Sequence, residues 1–106
     1  MTRDRLANRR PSVVFRFEHQ YTGYLGSYSV YPDGRAAELF VDTYDPGSTM
    51  ASILRDAAVL TSIALQHGAP LETLRTALTR LENGTSPASP IGSALDALAA
   101  EIGSLT

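Results

Sequence analysis

An α+β fold is predicted, a three-stranded antiparallel meander followed by three helices packed on one face, and three observations carry it. Apolar residues alternate with polar ones from Ser12 to Thr43. One strong turn signal, Pro32-Asp33-Gly34, divides that region. After Ser48 the apolar spacing becomes helical and is punctuated by Gly68, Pro70 and Pro90. Strands segregated from helices make two layers, with the helices covering one face of the sheet.

In the first strand Val13, Phe15 and Phe17 point one way while Arg16 and Glu18 point the other. Thr22-Gly23 is read as the turn into the second strand, Tyr24 to Tyr31, with Tyr24, Gly26, Tyr28 and Val30 on one face. Pro32 presets the next turn, Gly34 accepts positive φ, and the third strand runs from Ala36 to Thr43 with Ala37, Leu39 and Val41 inward. Asp45-Pro46-Gly47-Ser48 breaks the pattern, and Ser48 or Thr49 caps a long helix. Its predicted core stripe is Met50, Ile53, Leu54, Ala57, Leu60, Thr61, Ala64 and Leu65, with Arg55, Asp56, Ser62 and Gln66 largely elsewhere. Gly68 ends it. Pro70 fits the first position of a second helix with the stripe Leu71, Leu74, Leu78 and Leu81, and Ser89-Pro90 opens a third that buries Ile91, Leu95, Leu98 and Ile102.

The 106 residues form one expected domain over 12–106, preceded by a basic arm over 1–11. Arg3, Arg5, Arg9 and Arg10 against Asp4 make that arm positive within a chain of net charge −2. The arm lacks a hydrophobic period, so it is expected to be mobile and to carry any nucleic-acid affinity. No apolar run reaches the roughly 18 residues of a membrane span, and no apolar stretch follows the basic N-terminus as a secretory signal requires. A cytoplasmic location without membrane partners is expected.

With no cysteine, the chain has no disulfide, no thiolate nucleophile and no thiolate zinc site. His19 and His67 lack the spacing of metal ligands, so neither metal nor cofactor is expected. His67 reads as a charge at the negative end of the long helix, and His19 as an exposed strand-end residue. No serine lies in a nucleophile elbow, so the chain is not expected to be an enzyme. Gly47, Ser48 and Thr49 at a helix start have backbone N–H groups suited to phosphate, although plain capping explains the same residues. The two helices around Gly68 look superficially like a helix-turn-helix, but Glu72, Thr73, Thr76 and Glu82 leave only Arg75 and Arg80 to meet a DNA groove. Tyr21, Tyr24, Tyr28, Tyr31 and Tyr44 cluster around the sheet, either as a contact surface or because tyrosine suits half-exposed strands. Free strand edges and a bare sheet face point to a homodimer.

The segments Pro32-Asp33-Gly34-Arg35-Ala36-Ala37-Glu38-Leu39-Phe40-Val41-Asp42, Gly47-Ser48 and Asp56 through Leu74, with Gln66-His67-Gly68-Ala69-Pro70-Leu71 at its centre, resemble the TSCPD domain. That family occurs at the C-terminal end of adenosylcobalamin-dependent ribonucleotide reductases and as short stand-alone proteins. The resemblance runs from about Arg10 to Glu101, but the Thr-Ser-Cys-Pro-Asp motif and its cysteine are absent. It implies a non-catalytic accessory, regulatory or protein-interaction domain, with a ribonucleotide reductase as a possible partner alongside a second copy of the chain. The alternatives are a small nucleic-acid-binding protein using the arm and a nucleotide-binding regulator using the helix start. Glu38, Gly47, Ser48, Gln66 and His67 are the candidate binding residues. For Glu38 and Gln66 an internal hydrogen bond pinning helix to sheet is the competing reading.

Overall fold

A computed structural model describes Arg3, residues 12–43 and residues 45–104. Arg5, Arg9, Arg10 and Tyr44, and with them most of the proposed arm, lie outside the described residues. Strands β1 (Val13–His19), β2 (Thr22–Val30) and β3 (Ala36–Asp42) precede helices α1 (Thr49–Gln66), α2 (Leu71–Ala77) and α3 (Pro90–Ser104). The sheet is antiparallel in the order β1-β2-β3, and helices pack on one face, as the patterning predicts.

The first turn differs from the expectation. His19 pairs with Thr22, so Gln20 and Tyr21 form the two-residue connection and Thr22-Gly23 already belongs to β2. Both turn residues have positive φ, 49° and 66°, the conformation that fits a tight hairpin to the strand twist but that Asn-Gly usually supplies. Nothing in the side chains of Gln20 and Tyr21 advertises it. The second turn matches its signal: Gly34 takes φ 93° and its N–H donates to Tyr31 C=O at 2.8 Å.

Aromatic rings fill the helix side of the sheet. Phe17 stacks on its cross-strand partner Tyr24 with centroids 5.3 Å apart, and Phe15 meets Tyr28 edge-on at 5.8 Å. Phe15 also lies over Gly26, where a Cβ would come within 2.6 Å of its ring. Tyr28 and Tyr31 are buried, Tyr24 is partly buried, and Tyr21 is exposed at the hairpin tip. A contact surface of tyrosines, one of the two readings, is therefore not formed by those described. Val14, Leu25 and Phe40 occupy the outer face instead, among Arg16, Glu18, Glu38 and Asp42.

Helix α1 is rotated from the predicted setting. Its buried face is Ala51, Leu54, Ala58, Thr61, Ser62, Leu65 and Gln66, whereas Met50, Ile53 and Leu60 are exposed. The reason lies in β3, an edge strand whose outward backbone groups need partners. Ser62 Oγ accepts from Leu39 N–H at 2.9 Å and lies 3.1 Å from Leu39 C=O and 3.0 Å from Ala58 C=O. One turn further on, Gln66 Nε2 donates to Ala37 C=O at 3.0 Å. Two polar side chains thus substitute for a fourth strand, and only this rotation of α1 places both there.

The smaller helices depart less. Pro70 is the N-cap of α2 rather than its first helical residue, and α2 stops at Ala77, short of Leu78 and Leu81. Arg80 instead pairs with Pro87 in an isolated bridge. Helix α3 buries Ala94, Leu95 and Leu98 against the sheet, flanked by Ile91 and Ile102. Ser89 Oγ caps its start by accepting from Gly92 N–H at 3.2 Å.

Candidate functional site

The turn from α1 to α2 closes by geometry that requires a residue with positive φ. Gly68, at φ 98°, donates to Leu65 C=O, and Ala69 N–H reaches back to Ala64 C=O, both at 3.0 Å. This double closure satisfies the last carbonyls of α1 and turns the chain sharply into Pro70. His67, the C-cap, is half-buried and its backbone N–H bonds Ile63 and Ala64 carbonyls.

Beside this turn stands the β2–β3 turn. Asp33 accepts from the backbone N–H of Arg35 at 3.0 Å and from its Nε at 2.7 Å. Those bonds, the backbone one foremost, hold the Asp33 carboxyl below the usual carboxylate range. The Arg35 guanidinium lies 4.7 Å above the Tyr31 ring, a cation–π arrangement that fixes its direction. Between the two turns opens a pocket of about 280 Å³, walled by Ala36, Leu65, Gly68, Ala69, Pro70, Leu71 and Ile102 with Arg35 at its margin. A mostly apolar hollow suits an apolar side chain, with the Asp33–Arg35 ion pair at its margin.

The predicted site residues separate into three places. Gln66 is 5% exposed, and both ends of its amide are engaged: Nε2 with Ala37 C=O, Oε1 with Arg3 Nε. Arg3 is thereby held against the domain. Glu38 lies on the opposite sheet face from Ala37 and Leu39, across from Ser29. Gly47 and Ser48 sit at the far end of α1, ~27 Å from the turn at 1.5 Å per residue. There Ser48 Oγ accepts from Ala51 N–H at 3.1 Å and donates to Asp45 C=O at 2.9 Å, a capping arrangement.

Other polar groups hold elements together. His19, expected to be exposed, is half-buried and its Nδ1 lies 2.8 Å from Ser93 Oγ, which ties the end of β1 to α3. Asp96 accepts from Arg75 Nε at 3.0 Å and from Arg80 Nη1 at 2.8 Å, so the two arginines considered for a DNA groove are drawn onto α3. The Arg80 hydrogen bonds, aided by Arg75, hold the Asp96 carboxyl below its ordinary range. Sequence reasoning missed this cluster because residues 75, 80 and 96 have no helical spacing in common. It also missed Arg35, whose position after Asp33-Gly34 was the available signal. Among the described residues no group of three histidines, cysteines, aspartates or glutamates is placed to hold a metal ion, and no helix is long and apolar enough to cross a membrane.

No family model and no solved structure matches the chain. Curated proteins do. The chain is 38% identical over 73 residues to a vitamin B12-dependent ribonucleotide reductase of Rhodopirellula baltica, a match covering 68% of this chain and 7% of that protein. It is 36% identical over 72 residues to the vitamin B12-dependent ribonucleotide reductases of Streptantibioticus cattleyicolor and Streptomyces coelicolor, covering 67% of this chain and 12% and 7% of theirs. The chain thus spans 7–12% of the length of these curated relatives. Over that stretch it is related to a small part of vitamin B12-dependent ribonucleotide reductases.

Proposed function

We propose that the chain is a non-catalytic accessory module of the TSCPD type that docks a segment of a partner protein, a ribonucleotide reductase foremost, in the pocket between its two turns. The observation that carries this reading is the origin of the pocket walls. Arg35 and Ala36 on one side, and Gly68 to Leu71 on the other, belong to two of the three stretches that resemble that family, the third being Gly47-Ser48 at the far end of α1. The non-catalytic part rests on the duties of the reactive groups. Ser62 and Ser48 serve the backbone, His19 meets Ser93, and Asp96 is held by two arginines.

Arg35→Glu tests the reading, because the side chain is more than half exposed, with an unchanged melting temperature as the control for folding. Titration of the purified chain against a purified vitamin B12-dependent ribonucleotide reductase is expected to show binding that Arg35→Glu weakens about tenfold or more, as reversal of a charge at a docking margin does. Equal binding by both chains would place the contact elsewhere, and no binding by the wild type would remove the reductase as partner.

A further inference from the structure

The exposed face of α1 is apolar in a way the fold itself does not use. Met50, Ile53, Ala57, Leu60 and Ala64 recur at alternating intervals of three and four, the spacing of a coiled-coil seam, yet the buried face of α1 lies elsewhere. Met50 is 46% exposed, Ile53 56% and Leu60 68%. Arg55 and Asp56 are the only charged residues in the 18 of the helix, and Arg55 turns back to Pro46 C=O at 3.3 Å. Beside the seam, Ala57, Leu60 and Ala64 form one wall of an apolar groove of about 270 Å³, with Leu74, Leu78 and Ile91 opposite. A helix that is apolar nearly all round is normally covered on every side.

We infer that a second copy of this chain covers it, the two α1 helices packing antiparallel about a two-fold axis between Ala57 and Leu60. The sequence of the seam favours this occupant. In an antiparallel pair a positions face d positions, which sets Ile53 against Ala64 of the second copy and Leu60 against its Ala57. Ile53 and Leu60 each meet an alanine, the self-complementarity that a two-fold interface requires. In this register Ile53 of the second copy stands at the mouth of the groove beside Ala64. Asp56 faces neither itself nor another carboxylate. The seam from Met50 to Ala64 runs about 21 Å along the helix and is continued sideways by the rim of α2. A membrane surface fits poorly, since the face lacks the basic residues that such helices present to lipid. The outer sheet face is a weaker rival, because Val14, Leu25 and Phe40 lie there among four charges. This face of α1 is distinct from the Arg35 pocket, so failure of one assignment leaves the other standing.

Sedimentation equilibrium of the full chain over a micromolar range is expected to show a dimer. Leu60→Glu and Ile53→Glu, both at exposed positions, are each expected to weaken it by about tenfold or more through burial of an unpaired charge, with helix content unchanged. The cysteine-free chain also permits a direct test of register. When Ile53→Cys and Ala64→Cys chains are mixed and oxidised, mixed 53–64 disulfides are expected to exceed 53–53 and 64–64 products. A monomer throughout the range overturns the inference. So does a dimer indifferent to both glutamates, or a predominance of like-with-like disulfides, which marks a parallel or unrelated contact.

Discussion

Ser62 and Leu39, 23 residues apart in sequence, are joined by bonds to both backbone groups of Leu39, the N–H at 2.9 Å and the C=O at 3.1 Å. The pair is buried, so water does not substitute for the hydroxyl. Ser62→Ala is expected to lower stability by about 1–3 kcal/mol, the cost of a buried donor left without a partner. Urea denaturation measures it, and a change within error would show that Leu39 finds another acceptor.

Gly26 carries a second core constraint, because Phe15 occupies the space a side chain there would need, with ring carbons 2.6 and 2.7 Å from a Cβ. Gly26→Ala is expected to cost about 1–3 kcal/mol by overpacking. Combined with Phe15→Leu, it should cost less than the sum of the two single changes by about 0.5 kcal/mol or more, since neighbours that share one space couple. Strict additivity in a double-mutant cycle is the adverse result.

At the hairpin tip, Gln20 and Tyr21 hold a backbone conformation that costs residues with a Cβ about 1 kcal/mol each. Replacing them with Asn-Gly is therefore expected to raise the unfolding midpoint, with a gain on the order of 1 kcal/mol. A lower midpoint would mean that the exposed Tyr21 ring contributes to folding in a way the hairpin geometry does not express.

Acid should reveal the Asp96 cluster. The folded-state pKa of Asp96 is depressed, chiefly by Arg80, so its contribution is fully present above the unfolded aspartate value of about 3.9 and declines as pH falls through the folded value. Wild type is expected to exceed Asp96→Asn in stability at pH 7, with the gap narrowing below pH ~4. Urea midpoints at a series of pH values test this, and a gap that persists undiminished into strong acid contradicts the ion-pair origin.

Strands β1 to β3 were legible because alternation reports which side of a strand is covered, and the Pro-Asp-Gly turn because its chemistry is local. The setting of α1 was not. Two apolar stripes compete on that helix, and hydropathy alone favours Met50, Ile53 and Leu60 over a face holding Ser62 and Gln66. What decides is the unpaired backbone of β3, a demand made by a residue pair far apart in sequence. The same holds for the site. Gln66 and the turn through Pro70 could be singled out, but the neighbourhood of Arg35 arises only when the β2–β3 turn is brought beside them. The first hairpin turn failed for the opposite reason: Gln20-Tyr21 adopts its shape without the residues that announce it.

The closure of β3 by side chains bears on where such a domain can live. A sheet margin completed by a neighbouring strand depends on that neighbour and is left raw when the chain is cut from its context. Here part of the β3 margin is paired from within, by a serine and a glutamine on the domain's own helix. At β3, no strand from elsewhere in a longer polypeptide or from a second copy is needed to pair Leu39 and the Ala37 carbonyl. Losing Ser62 and Gln66 together would remove that independence and leave β3 open to strand addition, a change in solution behaviour beyond what the loss in folding energy conveys.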